Sequence, residues 1–179
     1  YEPYGFHAGV WASSTELNTG TSDDASLEVD FHGGFAGAFT NGVNWDVGGR
    51  YYYFPDQNAD AALGDFEMFE VNGALSYTFD TLYSPKASLG VAYSPDYFGE
   101  DDDGWYVDGG LEFALPHRFG FYTRAGYLDV EGDRTHPGGY DYAHYAVGLT
   151  RAIGTFTLDL GWQDAGGDCD DIASEDYCE

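Results

Sequence analysis

The sequence predicts an all-β protein, an antiparallel up-and-down transmembrane β-barrel to which this chain contributes about nine strands. Three observations predict it. Apolar and polar residues alternate with a period of two through most of the chain. The connections alternate between short and long. The aromatic residues fall into two belts near opposite ends of the strands.

Residues 4–13 read as the first strand. Ser26 to Phe39 follows, with Leu27, Val29, Phe31, Phe35 and Phe39 on one face and Glu28, Asp30, His32, Gly34 and Ala36 on the other. Thr40-Asn41-Gly42 closes it, Asn-Gly being a type I′ hairpin signal. Val43 to Tyr53 then sets Val43, Trp45, Val47, Tyr51 and Tyr53 against Asn44, Asp46, Gly48, Arg50 and Tyr52. In Phe69 to Phe79 the opposed sets are Phe69, Val71, Leu75, Tyr77 and Phe79 against Glu70, Asn72, Ala74, Ser76 and Thr78. Ala87 to Tyr93 opposes Ala87, Leu89, Val91 and Tyr93 to Ser88, Gly90 and Ala92. Trp105 to Leu115 opposes Trp105, Val107, Leu111, Phe113 and Leu115 to Tyr106, Asp108, Gly110, Glu112 and Ala114. The alternation is weaker from Phe119 to Tyr127, then clear again in Tyr145, Val147 and Leu149 against His144, Ala146, Gly148 and Thr150. Phe156, Leu158, Leu160 and Trp162 against Thr157, Asp159, Gly161 and Gln163 complete the set.

Short connections fall at 40–42, 80–86, 116–118 and 152–155, and long acidic ones at roughly 14–25, 55–65, 96–104, 129–141 and 164–179, the plan of an outer-membrane barrel. On the apolar parity Trp45, Tyr77, Phe79, Phe113 and Phe156 lie beside the short turns, with Phe39 and Phe119. Tyr51, Tyr53, Tyr93, Trp105, Tyr145 and Trp162 lie beside the long connections, with Phe69. An aliphatic band between two aromatic girdles is the signature of two membrane interfaces. A soluble β-sandwich or lipocalin-like barrel would put large apolar residues inside and Lys, Glu and Thr outside. Here the polar parity is rich in Gly, Ala and Ser among ionisable groups, which suits a narrow polar lumen.

Thirty-two acids against six basic side chains give a formal charge of -26, which excludes nucleic acid as a partner and a polybasic lipid-surface binder. An aromatic content of 18% excludes a solvated disordered chain. The length suits one domain over 1–179, with 164–179 as an acidic Cys-containing terminal loop. Cys169 and Cys178 are expected to form a small loop disulfide in an oxidising compartment. No apolar run approaches the about 18 residues of a membrane helix. Tyr1 opens into patterned sequence without a secretory signal, so a mature or trimmed chain is expected.

The lumen parity carries Glu28, Asp30, Asp46, Glu70, Asp108, Glu112 and Asp159, against Arg50, Arg124 and Lys86, with His32 and His144. Such groups either line a conducting pathway or pair into a plug. If water fills the lumen, the acid excess favours cations. Glu100, Asp101, Asp102 and Asp103 offer hard oxygen ligands for Ca²⁺, but lack the spacing of an EF-hand, and read first as a solvated loop. No other cofactor is expected. Gly-x-Ser-x-Gly, His-Glu-x-x-His and phosphate-loop motifs are absent and the histidines are scattered, so no enzyme is expected.

Gly9-Val10-Trp11-Ala12-Ser13, Ser26-Leu27-Glu28-Val29-Asp30 and above all Tyr93-Ser94-Pro95-Asp96-Tyr97-Phe98-Gly99 resemble the TorF-like family of proteins assigned as outer-membrane porins. The resemblance extends to the strand from Phe156 to Asp164 and to the Cys loop. It implies a β-barrel of about twelve strands, with further strands before Tyr4 and after the Cys loop. The first and last strands here both run toward the long connections and are not expected to close on each other. Either more of the same polypeptide or another chain is expected to fill the gap.

The expected function is therefore an outer-membrane β-barrel porin, a small-solute channel with weak cation preference. It would sit among lipids of a Gram-negative outer membrane with its long acidic loops extracellular. The alternative is a structural subunit of an extracellular β-barrel filament or tube, assembled by strand complementation with a neighbour in a homo-oligomer.

Overall fold

The computed structural model describes residues 4–17, 25–55, 57, 67–97, 103–131 and 140–167. They form nine strands: β1 (Tyr4–Leu17), β2 (Ala25–Ala38), β3 (Asn44–Tyr53), β4 (Met68–Thr78), β5 (Lys86–Ser94), β6 (Gly104–Leu115), β7 (Phe119–Val130), β8 (Tyr140–Ile153) and β9 (Phe156–Gly167). All nine join one sheet in chain order, and every neighbouring pair is antiparallel. The all-β, up-and-down reading therefore holds. β1 and β9 are the two edges and do not pair with each other, so among the described residues the sheet is open rather than closed into a barrel.

The turns depart from expectation in an instructive way. At Asn41-Gly42 only the glycine has a positive φ, +85°. The Phe39 N–H donates to the Val43 carbonyl, the Gly42 N–H donates to the Phe39 carbonyl, and the Asn41 side chain accepts from the Val43 N–H at 3.1 Å. This is a three-residue loop with glycine in the left-handed position, not a type I′ turn. The side-chain cap holds Asn41 in ordinary backbone conformation and leaves the left-handed residue to Gly42. Type I′ dihedrals appear instead at His117 and Arg118, with φ of 60° and 63°, between β6 and β7. Gly154, φ 63°, opens the two-residue turn between β8 and β9.

The two faces of the sheet divide by chemistry. Phe31, Phe35, Val47, Leu75, Leu89 and Val107 are all exposed on one face, as are most of the other large apolar residues of that parity. Few apolar side chains are buried among the described residues: Ala25, Phe54, Ala92, Leu128 and Val130. Only Ala25 and Phe54, with Tyr52 against them, form a small cluster, at the long-connection end of β2 and β3. This inverts the arrangement of a water-soluble sandwich, in which the apolar parity is the covered one.

Candidate functional site

The opposite face is concave. One cavity of about 510 Å³ takes side chains from β1 through β8, from His7 to His144, which requires the sheet to curl around them. Its floor and walls follow from the register. Asp46, Ala74, Gly90, Asp108, Gly126 and His144 are successive partners across β3 to β8. Gly34, Gly48, Asn72, Ala92 and Tyr106 form the next row, beginning from His7 on β1. His32, Arg50 and Glu70 follow in the row above.

Inside such a curve, side chains crowd, and glycine supplies the room. Tyr106 and His144 stand on β6 and β8, with β7 between them, and share a hydrogen bond of 2.7 Å whose direction the His144 tautomer sets. Their rings are stacked, 5.7 Å apart, over Gly126. A Cβ at Gly126 would collide with the His144 ring and lie 2.7 Å from the Tyr106 hydroxyl. Tyr122 repeats the device nearer the short turns. Its ring covers Gly148, and its hydroxyl passes over Gly161 to donate to Asp159 at 3.1 Å.

Two charge clusters flank the cavity. Toward the long connections, Arg50 Nη1 lies 3.9 Å from Asp30 Oδ2 and donates to the Tyr52 hydroxyl at 3.3 Å. Its guanidinium also sits 5.6 Å from the Tyr52 ring, and its register partner is Glu70. Asp30 is 4% exposed, and among the described residues its Oδ1 and the Arg50 Nε have no hydrogen-bond partner. Toward the short turns, Glu112 Oε1 lies 3.6 Å from both Lys86 Nζ and Arg124 Nη2. Between the two clusters, His7 Nε2 lies 2.9 Å from Asp46 Oδ2 without the alignment of a hydrogen bond.

The cavity thus gathers His32, Asp46, Arg50, Glu70, Asp108 and His144 from the ionisable residues that parity assigns to the inside. Glu28, Asp30, Glu112, Arg124 and Asp159 share that face but lie outside the cavity lining. His7, Tyr52, Asn72, Tyr106 and Tyr142 line it as well. Parity alone marks them, since each falls on the polar side of its strand. Trp11, the register partner of Asp30, also lies on this face and is 51% exposed.

On the convex face the aromatic residues meet in contacts at both ends of the strands. Beside the short turns these include Phe39 with Trp45, Tyr77 with Phe79, and Phe113 with Phe121. Beside the long connections they are Tyr51 with Tyr53, Tyr93 with Trp105, and Tyr145 with Trp162. Phenols of the second belt reach carboxylates: Tyr51 donates to Glu67, and Tyr145 donates to Asp164 at 3.2 Å. From Trp105 to Phe113, β6 rises roughly 27 Å, which a barrel-like tilt reduces to about 21 Å, against an apolar membrane band of about 25 Å. Phe156 stands at the start of the edge strand β9 and is 76% exposed.

Glu100, Asp101, Asp102, Cys169 and Cys178 lie outside the described residues, as does most of 164–179. Asp103 is described, and its carbonyl accepts from the Glu131 N–H at 3.1 Å. Among the described residues no three His, Cys, Asp or Glu side chains are grouped to hold a metal ion.

A family model described as a bacterial protein of unknown function (Gcw_chp) matches residues 2–178. No curated protein and no solved structure matches the chain.

Proposed function

The chain belongs to the Gcw_chp family, and we propose that it forms the wall of an outer-membrane β-barrel porin, a small-solute channel with weak cation preference in a Gram-negative bacterium. One observation carries this reading. Along the sheet most of the large apolar side chains stand exposed on the convex face, while the concave cavity gathers ionisable ones from β2 to β8. Monomeric soluble proteins rarely expose apolar patches beyond a few hundred Å², whereas a lipid-facing barrel wall is built this way. The two belts of ring contacts bound that face as interfacial girdles would. The resemblance of Tyr93 to Gly99 to TorF-like porins supports the same reading. On the concave face Glu28, Asp30, Asp46, Glu70, Asp108, Glu112 and Asp159 outnumber Arg50, Lys86 and Arg124, which favours cations. In this reading the long connections face the exterior.

The unpaired edges of β1 and β9 suit a second reading, a tube subunit that borrows strands from its neighbours. The convex face weighs against it, because a filament in water would leave Phe31, Leu75, Leu89 and Val107 unsheltered. Planar-bilayer recording of the purified full-length protein tests the channel. Unitary conductance with a reversal potential on the cation side is expected in a salt gradient, and an electrically silent protein overturns the proposal.

A further inference from the structure

Several rings of the cavity lean along its wall instead of standing into it. Gly9 seats His32, Gly104 seats Tyr97, and Gly126 seats Tyr106 and His144: in each case a Cβ on the glycine would collide with the side chain above it. All four of these ring residues line the cavity. Tyr106 and His144 go further. Their planes lie within 3° of parallel, with centroids 5.7 Å apart, while the hydroxyl and Nε2 are 2.7 Å apart. Atoms in two parallel planes cannot approach more closely than the planes do, so the planes are at most 2.7 Å apart. The centroids are therefore displaced sideways by roughly 5 Å, and the rings lie edge beside edge as one shallow aromatic surface. Tyr142 borders it, its ring 6.4 Å from that of His144 and inclined by 47°. The lining from β2 to β4 is polar and of mixed character. His32, Arg50 and Asn72 supply N–H donors, and Asp46 and Glu70 supply carboxylate acceptors. Asp108, the register partner of Gly126, adds a third carboxylate beside the rings.

We infer that the cavity binds a neutral pyranose sugar, with one sugar ring resting on the Tyr106–His144 surface. A pyranose ring carries a patch of C–H groups on its face, which settles on the electron-rich face of aromatic rings. Its rim carries hydroxyls, each of which donates and accepts. The lining asks for both properties together. A cation brings no acceptor for Arg50, Asn72 and the imidazole N–H groups. An anion brings no donor for the three carboxylates, and a planar hydrocarbon brings neither. The cavity volume of about 510 Å³ falls within the roughly 300–1,000 Å³ of small-molecule sites. The inference rests on the concave face being the water-filled side of the wall, and it gives the small-solute channel a solute class.

Calorimetric titration of the full-length protein in lauryldimethylamine oxide, a detergent without a sugar headgroup, tests it. Maltose and cellobiose present pyranose rings in α and β linkage, sorbitol offers hydroxyls without a ring, and choline offers a cation. Saturable binding of at least one disaccharide is expected, at least about tenfold tighter than sorbitol or choline. Tyr106→Ala removes one ring of the aromatic surface and Asn72→Leu removes a donor from the polar lining. Each should weaken that disaccharide by about fivefold or more. Tyr122→Ala removes a ring seated on glycine outside the cavity lining, and should keep the affinity within about twofold. Absence of saturable disaccharide binding overturns the site, as does sorbitol or choline binding within the tenfold margin. So does an affinity that neither cavity variant changes, or that Tyr122→Ala lowers as far as Tyr106→Ala does. Should Tyr106→Ala fail to fold, Asn72→Leu and the comparison of ligands decide. The titration requires no conduction: binding by an electrically silent protein would uphold the site and remove the channel, and a channel without binding would do the reverse.

Discussion

Tyr106 and His144 are hydrogen-bonded at 2.7 Å although their strands, β6 and β8, never pair. The contact exists because Gly126 of β7 lies beneath both rings. Gly126→Val should therefore wedge the two rings apart and destabilise the fold by about 1–3 kcal/mol, the usual cost of overpacking. Tyr106→Phe, which keeps the ring and removes the hydroxyl, should cost about 1 kcal/mol. Urea unfolding followed by tryptophan fluorescence measures both. If Gly126→Val proved as stable as the unaltered protein, the glycine would have no role as a seat for the rings.

The two faces should respond in opposite ways to charge. Leu89 is 57% exposed on the convex face, midway between the belts. Leu89→Arg should destabilise the lipid-inserted protein by about 2–4 kcal/mol, as at the middle of a membrane barrel. Ser76→Arg, on the concave face of neighbouring β4, should cost well under half of that. Reversible unfolding from lipid vesicles gives the comparison, and equal costs would remove the distinction between the faces.

The turn between β6 and β7 holds His117 and Arg118 in left-handed backbone conformation, with φ of 60° and 63°. Non-glycine residues pay for this, roughly 1–2 kcal/mol each against the right-handed region. The double replacement His117→Asn, Arg118→Gly installs the pair a type I′ turn prefers. It should stabilise the protein by about 1–2 kcal/mol in the same urea assay, and a loss of stability would contradict the turn assignment.

These turns also mark where the sequence stops being legible. The period of two identifies each strand because one parity is almost uniformly apolar, and that parity is the convex face. Strand ends are less visible. β1 continues to Leu17 through Ser13-Ser14-Thr15, and β8 begins at Tyr140 through Tyr140-Asp141-Tyr142, where the alternation fades. β1 even shifts register between Ser14 and Leu17. Asn41-Gly42 carries the stronger turn signal, yet the Asn41 side chain caps Val43 instead, and the type I′ geometry falls at a pair with no such signal. For the site, parity places Asp46, Asp108 and His144 inside. It does not reveal that Asp46 and Asp108 share a row, because register depends on the lengths of every intervening connection. His7 and Tyr106 remain unnoticed among polar-face residues until a neighbouring strand brings Asp46 or His144 to them.

Glu112 balances Lys86 and Arg124, each 3.6 Å from the same carboxylate oxygen. Glu112→Gln leaves two uncompensated cations on the concave face near the short turns. In a conducting barrel its reversal potential should shift toward anions, and this shift should shrink as salt rises and screens the charges. An unchanged reversal potential would show that this cluster lies away from the ion path.

The central claim is that the convex face meets lipid and the concave face meets water, and the four tryptophans report on it directly. Trp45, Trp105 and Trp162 stand on the convex parity, and Trp11 on the concave one. Single-tryptophan proteins, with Phe at the other three positions, can be placed in vesicles of brominated lipid and exposed separately to aqueous iodide. Trp45, Trp105 and Trp162 are expected to be quenched by the lipid bromines, and Trp11 by iodide alone. Iodide quenching of all four without any effect of the brominated lipid would contradict the membrane-wall account.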